Sequence, residues 1–309
     1  MTKYTDHAAA VTVQLIDTIT TTSPGHWQAP WHHNGSSVWA PRNATTNRGY
    51  RGGNTIALAI QALNHGYQSG DWATYRQWGS VDAQVRKGER GTRCVRWVKK
   101  EAEDTKPGEP EIKEGTSRMV PVMFTVFNAD QVDGYEPHAT SPNPIDTVAQ
   151  VDTDVKATGA VILHGGDRAF YRPAADVIQL PDFERFTSTA GYYGTCLHEL
   201  AHWTGHQSRK ARDFGGRYGD DAYAIEELTA ELAAAMLTAH YGLANEARSD
   251  HADYLGSWLR IMGAKPDTLL SVANQAQAAA DFILSTSPST GDVESAGGGE
   301  APVLAKAAA

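Results

Sequence analysis

Apolar side chains at helical spacing predict the first ordered elements of the chain. They recur about every three to four positions over residues 6–20, as in a short amphipathic helix. A second helix is expected between Asn54, a candidate N-cap, and Gly66, which can adopt the left-handed conformation at a helix end. Thr74 is a candidate N-cap for a third, short helix. Three helices are therefore expected before residue 80.

Residues that favour strands follow these helices. Residues 85–98 are predicted to form a strand pair around the basic, Gly-containing turn at 87–91. A second strand-rich run covers residues 119–127. Between the two, residues 101–118 have the Pro, Gly and Glu content of a solvated insertion. Together these elements predict a small α+β domain that ends near residue 140.

Longer helices dominate the second half of the chain. Residues 176–180 are mostly apolar and are followed by Pro181, which predicts a short strand. Helical patterns then cover residues 187–206, 221–241 and 254–262. The second half is therefore predicted to be mainly helical.

Composition sets the expected boundaries. A chain of 309 residues with 41% hydrophobic content can form two ordinary domains with separate cores. We expect a first domain over 1–140, a Pro-containing linker over 141–154 and a second domain over 155–284. Residues 285–309, rich in Ser, Thr, Gly, Pro and Ala, are predicted to be a disordered tail. The predicted fold class is α+β, a small α+β domain followed by a mainly helical one.

Several sequence features point to a cytoplasmic protein with no membrane partner. No apolar run approaches the roughly 20 residues that span a bilayer. The N-terminus lacks the apolar core of a signal peptide. The two cysteines, Cys94 and Cys196, are far apart and form no disulfide framework, which fits a reducing compartment.

Positive charge is concentrated in one stretch of an acidic protein. Residues 27–100 contain eleven Lys or Arg against three acidic residues, a balance of +8, whereas the whole chain carries −9. Six of the eight tryptophans fall in the same stretch. Interleaved aromatic and basic residues suit single-stranded DNA, because rings stack on bases while guanidinium groups follow phosphates. Buried tryptophans and solvated arginines are the competing interpretation.

The pattern H-E-x-x-H at residues 198–202 predicts a metal site. On a helix, His198 and His202 lie one turn apart and can direct their ring nitrogens to one Zn²⁺. Glu199 lies beside them, where its carboxylate can take a proton from the attacking water and return it to the leaving amine. These three residues predict a zinc-dependent peptidase site.

A second acidic helix offers a third metal ligand. Glu227 and Glu231 lie one turn apart among alanines and leucines, where burying carboxylates is costly without a cation. We expect Glu227 to bind the metal, and Glu231 to accept a hydrogen bond from a ligating histidine. Glu226 and His206 remain alternatives for the ligand, and an exposed, solvated helix face is the competing interpretation. The spacing resembles that of thermolysin-like zincins.

Two further parts of a peptidase stay open at this point. Zincins commonly pair an extended substrate with an edge strand, and residues 176–180 are the candidate here. A donor for the oxyanion is also required, and the choice stays open among four tyrosines and one histidine. These are Tyr192, Tyr193, Tyr218, Tyr223 and His240.

Candidate DNA-binding residues come from three segments of the basic stretch. The first is a Trp-rich loop, the second a Gly-punctuated loop before a helix whose amides could cradle a phosphate, and the third a basic turn. The candidates are Trp27, Trp31, Arg48, Tyr50, Arg51, Asn54, Arg86, Lys87 and Arg90.

Taken together, the motifs resemble the ArdC-type antirestriction proteins of plasmids and phages. The similar segments are 27–31, 41–43, 50–54, 84–91, 127–128, 176–181, 198–208 and 226–231. The resemblance covers roughly residues 5–245 and departs from the family at Gly53, where Ile or Val is more usual. It implies an N-terminal single-stranded-DNA-binding domain, a C-terminal zincin domain and protection of incoming DNA from restriction. The resemblance implies metal-binding and catalytic roles for His198, Glu199, His202 and Glu227. It also implies that Trp31, Arg48, Tyr50, Arg51 and Asn54 contact DNA.

Three functional hypotheses follow. The first is a metalloprotease tethered to single-stranded DNA and acting on an unidentified protein substrate. The second is a passive DNA-binding protector whose metal site is structural or inactive. The third is a free peptidase without a nucleic-acid partner.

Overall fold

The computed structural model describes residues 3–21, 33–34, 37–101, 115–136, 144–212, 220–245, 251–265 and 267–288. Within them the helices are α1 Lys3–Thr21, α2 Gly53–His65, α3 Tyr75–Gly79, α4 Pro144–Ala157, α5 Thr189–Thr204, α6 Asp221–Tyr241, α7 His251–Ala264 and α8 Thr268–Ser285. The strands are β1 His33–Asn34, β2 Arg42–Asn43, β3 Asp71–Ala73, β4 Gln84–Val85, β5 Thr92–Glu101, β6 Ser117–Asn128, β7 Val132–Asp133, β8 Val161–His164, β9 Phe170–Arg172, β10 Val177–Leu180 and β11 Ala244–Asn245. The fold class is α+β, as predicted. None of the helices in these residues combines the length and apolar character needed to cross a bilayer.

The N-terminal part is built on a four-stranded sheet in the order β2-β3-β6-β5. The long pair β5–β6 is antiparallel, with Thr92 opposite Val126 and Glu101 opposite Ser117. The predicted pairing of strands within 85–98 is wrong, because β4 pairs with β7 and β5 pairs with β6. The intervening turn is held by Gln131, whose amide donates to the Glu89 carboxylate and the Arg90 carbonyl, and this separates the two strands.

The start of α2 differs from the prediction, whereas its end agrees. The helix begins at Gly53 with Gly52 as its N-cap, so Asn54 is not the cap. The Asn54 amide instead donates to the Val95 carbonyl at 2.7 Å and accepts from the Val95 N–H at 2.9 Å, which docks α2 on β5. Gly66 ends the helix in the left-handed conformation, with φ of 69°. Thr74 and Gln77 form a capping box on α3, so the predicted cap is confirmed.

One large hydrophobic core joins the two halves of the chain. Ala8, Val11 and Leu15 of α1, and Ile56 and Ile60 of α2, belong to the same buried cluster as the apolar residues of α5, α6 and α8. The N-terminal part also has two smaller buried clusters of its own, around Trp72 and around Trp78, so the shared core lies beside separate ones. The physical reason is that α2 has apolar residues on two faces, so it packs on the helices with one and on the sheet with the other.

Residues 144–157 form helix α4, where the sequence predicted a linker over 141–154. Val151 and Val155 of this helix are buried. Asp154 is buried as well, and it accepts a hydrogen bond from the Tyr241 hydroxyl at 2.8 Å. Proline at the first helical position starts α4 instead of preventing it.

The C-terminal part places a three-stranded sheet, β8-β10-β9, beside α5. β10 is parallel to β8 and antiparallel to β9. The expectation that residues 176–180 form an edge strand is wrong, because β10 is central and β8 and β9 are the edges. Helix α8 extends to Ser285, and residues 289–309 of the predicted tail lie outside the described residues.

Candidate metal centre

Helix α5 brings two imidazole rings to one point. Ser188 caps its first turn by accepting from the Gly191 N–H at 2.9 Å, and the helix continues without a break to Thr204. His198 and His202 are both buried on it. Their Nε2 atoms lie 3.1 Å apart. Two nitrogens bound at zinc distance in a tetrahedral centre would lie about 3.3 Å apart, so this spacing fits one shared ion.

Glu227 of α6 supplies a carboxylate to the same point. Its Oε2 lies 3.6 Å from Nε2 of His198, and its Oε1 lies 3.5 Å from Nε2 of His202. Burial would raise the pKa of this carboxyl, but the neighbouring imidazoles of His202 and His198 hold it well below its usual value. Among the described residues, these three are the group of potential ligands close enough to share an ion.

The other two candidates for the third ligand lie elsewhere. Glu226 reaches the opposite side of His202, with Oε1 3.0 Å from Nδ1. His206 follows the end of α5, where its Nδ1 lies 2.8 Å from the Ser208 hydroxyl. The turn beyond Gly205 thus carries His206 away from the line of His198 and His202. Of the three candidates, Glu227 is the one that lies at the two Nε2 atoms.

Carboxylates also lie beside the outer nitrogen of each histidine. Oε2 of Glu231 is 3.3 Å from Nδ1 of His198. Glu226 lies closer to Nδ1 of His202, at a distance that allows a hydrogen bond. An acceptor at Nδ1 leaves the Nε2 lone pair available to a metal ion. The residue set therefore fits a zincin-type metal.

Arg212 is part of this site, although it is not among the residues predicted from the sequence. It donates to both oxygens of Glu226, each at 2.8 Å. Burial would raise the pKa of Glu226, but the bonds from Arg212 and His202 lower it, so the carboxylate stays charged. No spacing rule predicts this contact, because it is made by a loop residue beyond the end of α5.

Glu199 follows His198 on α5 and is buried. It lies on the helix turn that carries His198 and His202, which is where a general base is expected. Of the candidate oxyanion donors, Tyr192 shares a 2.9 Å hydrogen bond with His164, and Tyr193 is buried. Tyr218 lies outside the described residues.

The candidate DNA-binding residues do not share one environment. Trp27 and Trp31 lie outside the described residues, and Arg48, Lys87 and Arg90 are exposed. Arg86 bonds to Glu89 at 3.1 Å and lies 3.5 Å from a carboxylate oxygen of Asp133. Arg86 is exposed too but is held in these ion pairs, so Arg48, Lys87 and Arg90 are the members of this set most open to a phosphate.

The Gly-punctuated loop contacts α8. The N–H of Gly52 donates to the Gln277 side chain at 3.0 Å, and the N–H of Gly53 donates to Asn274 at 3.3 Å. Arg51 pairs with Asp281. The amides that could cradle a phosphate therefore bond to side-chain oxygens of the C-terminal helix.

The half-buried side chain of Tyr50 lies within the N-terminal part. Its hydroxyl accepts from Asn43 at 3.3 Å and donates to the Trp72 carbonyl at 3.4 Å. Burial raises the pKa of Tyr50 to about 12. The ring is thus held at the sheet and is not displayed on a loop.

An aromatic and basic surface lies instead on one face of β5. Trp97 is 48% exposed and contacts Tyr4 edge-on, with ring centroids 5.2 Å apart. Arg93 and Lys99 are exposed too, and they lie on the same face of the strand because each is an even number of positions from Trp97. Tyr4, Trp97 and Arg51 line one shared groove. If the whole of β5 had been predicted from the sequence as one strand, the alternation of side chains between its two faces would have identified this surface.

Comparisons with known proteins agree with both halves of the structure. Residues 5–127 match a family described as the N-terminal domain of anti-restriction factor ArdC. Residues 149–275 match a zincin-like metallopeptidase family. A protein of Sinorhizobium fredii called uncharacterized protein y4eC is 40% identical over 282 residues, covering 90% of this chain and 92% of its own length.

A DNA primase, TraC of Escherichia coli, is 38% identical over 271 residues. The match covers 84% of this chain but 25% of the primase. Two crystal structures of the antirestriction protein ArdC from plasmid R388 also match. The metal-free one has a TM-score of 0.70 and 36% identity, covering 91% of this chain and 97% of that chain. The Mn(II)-bound one has a TM-score of 0.71 and 34% identity, covering 91% and 98%.

Proposed function

The chain belongs to the ArdC family of antirestriction proteins, and we propose that it is a zinc-dependent endopeptidase joined to a domain that binds single-stranded DNA. In this proposal it protects incoming plasmid or phage DNA in the cytoplasm, where Cys94 and Cys196 stay free. Its protein substrate is a partner held near the same DNA.

The observation that carries the peptidase proposal is the convergence of His198, His202 and Glu227, with the buried Glu199 next to His198 on the same helix. These three ligands would hold the ion. A bound Zn²⁺ polarises a carbonyl group and makes water a stronger acid. Glu199 would take the proton from the attacking water and hand it to the leaving amine. Because Glu199 is buried, its carboxylate would act with little competition from bulk solvent.

Glu199→Gln tests this role, because the amide keeps the shape of the side chain and cannot accept the proton. We expect cleavage of casein, used as an unfolded probe substrate, to fall at least about 100-fold while the zinc content stays at that of wild type. Glu184→Gln, the same change at an exposed glutamate, is the matched control and should cleave normally. Normal cleavage by Glu199→Gln would refute the peptidase mechanism.

The DNA-binding part of the proposal is supported by charge and exposure. Arg93, Trp97 and Lys99 project from one face of β5 in the stretch that carries +8. The relative named as a DNA primase points to nucleic acid as well. An exposed ring flanked by cations suits a base between two phosphates, with little preference for sequence.

Trp97→Ala tests the location of this site. Stacking is worth about 1–3 kcal/mol per base, so we expect the Kd for a fluorescent oligo-dT to rise about 5- to 150-fold in anisotropy titrations at low salt. Trp97→Phe should recover most of the affinity, and Leu163→Ala, which truncates an exposed side chain on β8 of the C-terminal part, should leave it unchanged. If the wild type binds no oligonucleotide at low salt, the free-peptidase hypothesis replaces this part of the proposal.

A passive protector is the second candidate, since single-strand binding alone could shield DNA. Transfer of an unmodified plasmid into a restricting host separates the two. Protection by Glu199→Gln equal to that by wild type would assign antirestriction to DNA binding, without the peptidase.

A further inference from the structure

Arg212 links the helix that carries both histidines to the helix that carries the glutamates. Its Nε and Nη2 donate to the two oxygens of Glu226, both at 2.8 Å. The two side chains are each 7% exposed. A buried, two-point pair of this kind fixes direction as well as distance, because the planar guanidinium matches the carboxylate.

The remaining contacts of Arg212 hold the last turn of α5. Nη1 donates to the Thr204 hydroxyl at 2.8 Å, and Nη2 donates to the Ala201 carbonyl at 2.6 Å. Its backbone N–H donates to the Gly205 carbonyl at 2.9 Å. These groups lie within one turn of His202. The position of Glu226 is therefore set relative to the helix that presents this histidine.

Two consequences follow for the ring of His202. Glu226 lies 3.0 Å from Nδ1, so a proton on Nδ1 is held there and the Nε2 lone pair faces Glu227. Because both of its oxygens bond to Arg212, Glu226 is also kept from the ligand position that its sequence neighbour occupies. Without Arg212, the buried Glu226 and the partly buried Glu227 would compete for one cation.

We propose that Arg212 is a positioning residue for the metal centre. It determines which nitrogen of His202 and which of two adjacent glutamates face the ion. The inference rests on the proposed zinc site and adds a residue from outside the ligand set to it.

The test measures metal binding by the folded full-length protein. We expect Arg212→Ala to weaken zinc binding about 10- to 100-fold in competition with a chromophoric chelator. The visible absorption spectrum of the Co²⁺-loaded protein should change in intensity, since the spectrum reports the geometry around the ion. Arg212→Lys should recover only part of the affinity, because an ammonium group cannot bond both oxygens of Glu226 in parallel.

Arg209→Ala is the matched control. Arg209 also braces the end of α5, by stacking on Trp203 and donating to its carbonyl, but it pairs with Asp176 and not with a glutamate of α6. We expect this variant to melt at a lower temperature while its zinc affinity and Co²⁺ spectrum match wild type. Glu226→Gln removes the same ion pair from the other side and should weaken zinc binding like Arg212→Ala.

The outcomes separate the two levels of the proposal. One outcome overturns the inference: wild type binds zinc, and Arg212→Ala and Glu226→Gln match it in both zinc affinity and Co²⁺ spectrum. In that case Arg212 only supports the fold. If Arg212→Ala does not fold, Glu226→Gln decides by the same readouts. If the wild type binds neither Zn²⁺ nor Co²⁺, the proposed metal centre itself fails.

Discussion

Gly52→Ala perturbs the contact between the N-terminal loop and α8. Gly52 has φ of 56° and ψ of −128°, a combination that residues with a Cβ rarely adopt. A Cβ built there would lie 2.2 Å from Oδ1 of Asn274 and 3.3 Å from its Cγ. The substitution therefore combines backbone strain with a steric clash against one named side chain.

The magnitude follows from these two terms. Strained backbone of this kind costs about 1–3 kcal/mol. Moving Asn274 weakens its hydrogen bond from the Gly53 N–H, which is worth about 0.5–1.5 kcal/mol. We expect Gly52→Ala to lower the free energy of unfolding by about 2–4 kcal/mol, measured by urea denaturation followed by circular dichroism.

A double variant separates the terms. Asn274→Ala removes the clash and leaves the backbone strain, so Gly52→Ala should cost about 1 kcal/mol less in that background. Gly66→Ala is the control: it also places a Cβ at positive φ on α2, but it meets nothing within 4 Å and should be independent of Asn274. Unfolding of Gly52→Ala within about 0.5 kcal/mol of wild type would refute the reasoning.

Three further predictions concern the C-terminal part. Tyr241→Phe should lower the free energy of unfolding by about 1–3 kcal/mol in urea, because it removes the donor to one oxygen of the buried Asp154 carboxylate and leaves the bond from Gln150 to the other oxygen. An unchanged urea midpoint would contradict this. Removing metal with a chelator should lower the melting temperature of wild type and leave that of His202→Ala unchanged, since only a protein that binds the ion is stabilised by it. The hydrogen bond from Arg209 lowers the pKa of Asp176, so its stabilisation is present above the unfolded pKa and is lost as pH falls through the lower folded value. Asp176→Asn should therefore be less stable than wild type at pH 7, and its stability should fall less as the pH drops below about 4. Thermal melts measure both, and a pH profile identical to that of wild type would contradict the assignment.

The metal centre shows how far spacing alone can lead. Two histidines four apart on a helix must share a face, so His198 and His202 followed from the sequence. The acidic helix was visible too, but Glu226 and Glu227 are adjacent and equally acidic. Only the packing of α6 against α5 places one carboxylate at the Nε2 atoms and the other at Nδ1.

The N-terminal part was less open to prediction. Charge and aromatic content located a basic stretch, but not which side chains are exposed. Trp72 and Trp78 of that stretch are fully buried, whereas Trp97 projects from β5. Burial of a ring depends on which strands pair with each other. Each residue pair between β5 and β6 is separated by 15 or more intervening residues of the chain.

The sequence by itself determined what depends on local geometry: the helix that aligns His198 and His202, the cap at Thr74, the end of α2 at Gly66 and the acidity of α6. Tertiary structure alone decided that α8 covers the loop at Gly52, that one core joins both halves, and that Arg212 holds Glu226 against His202. Local features repeat with the period of a helix or a strand. Contacts between distant segments have no period, because they depend on how whole elements pack to bury their apolar faces and pair their buried charges.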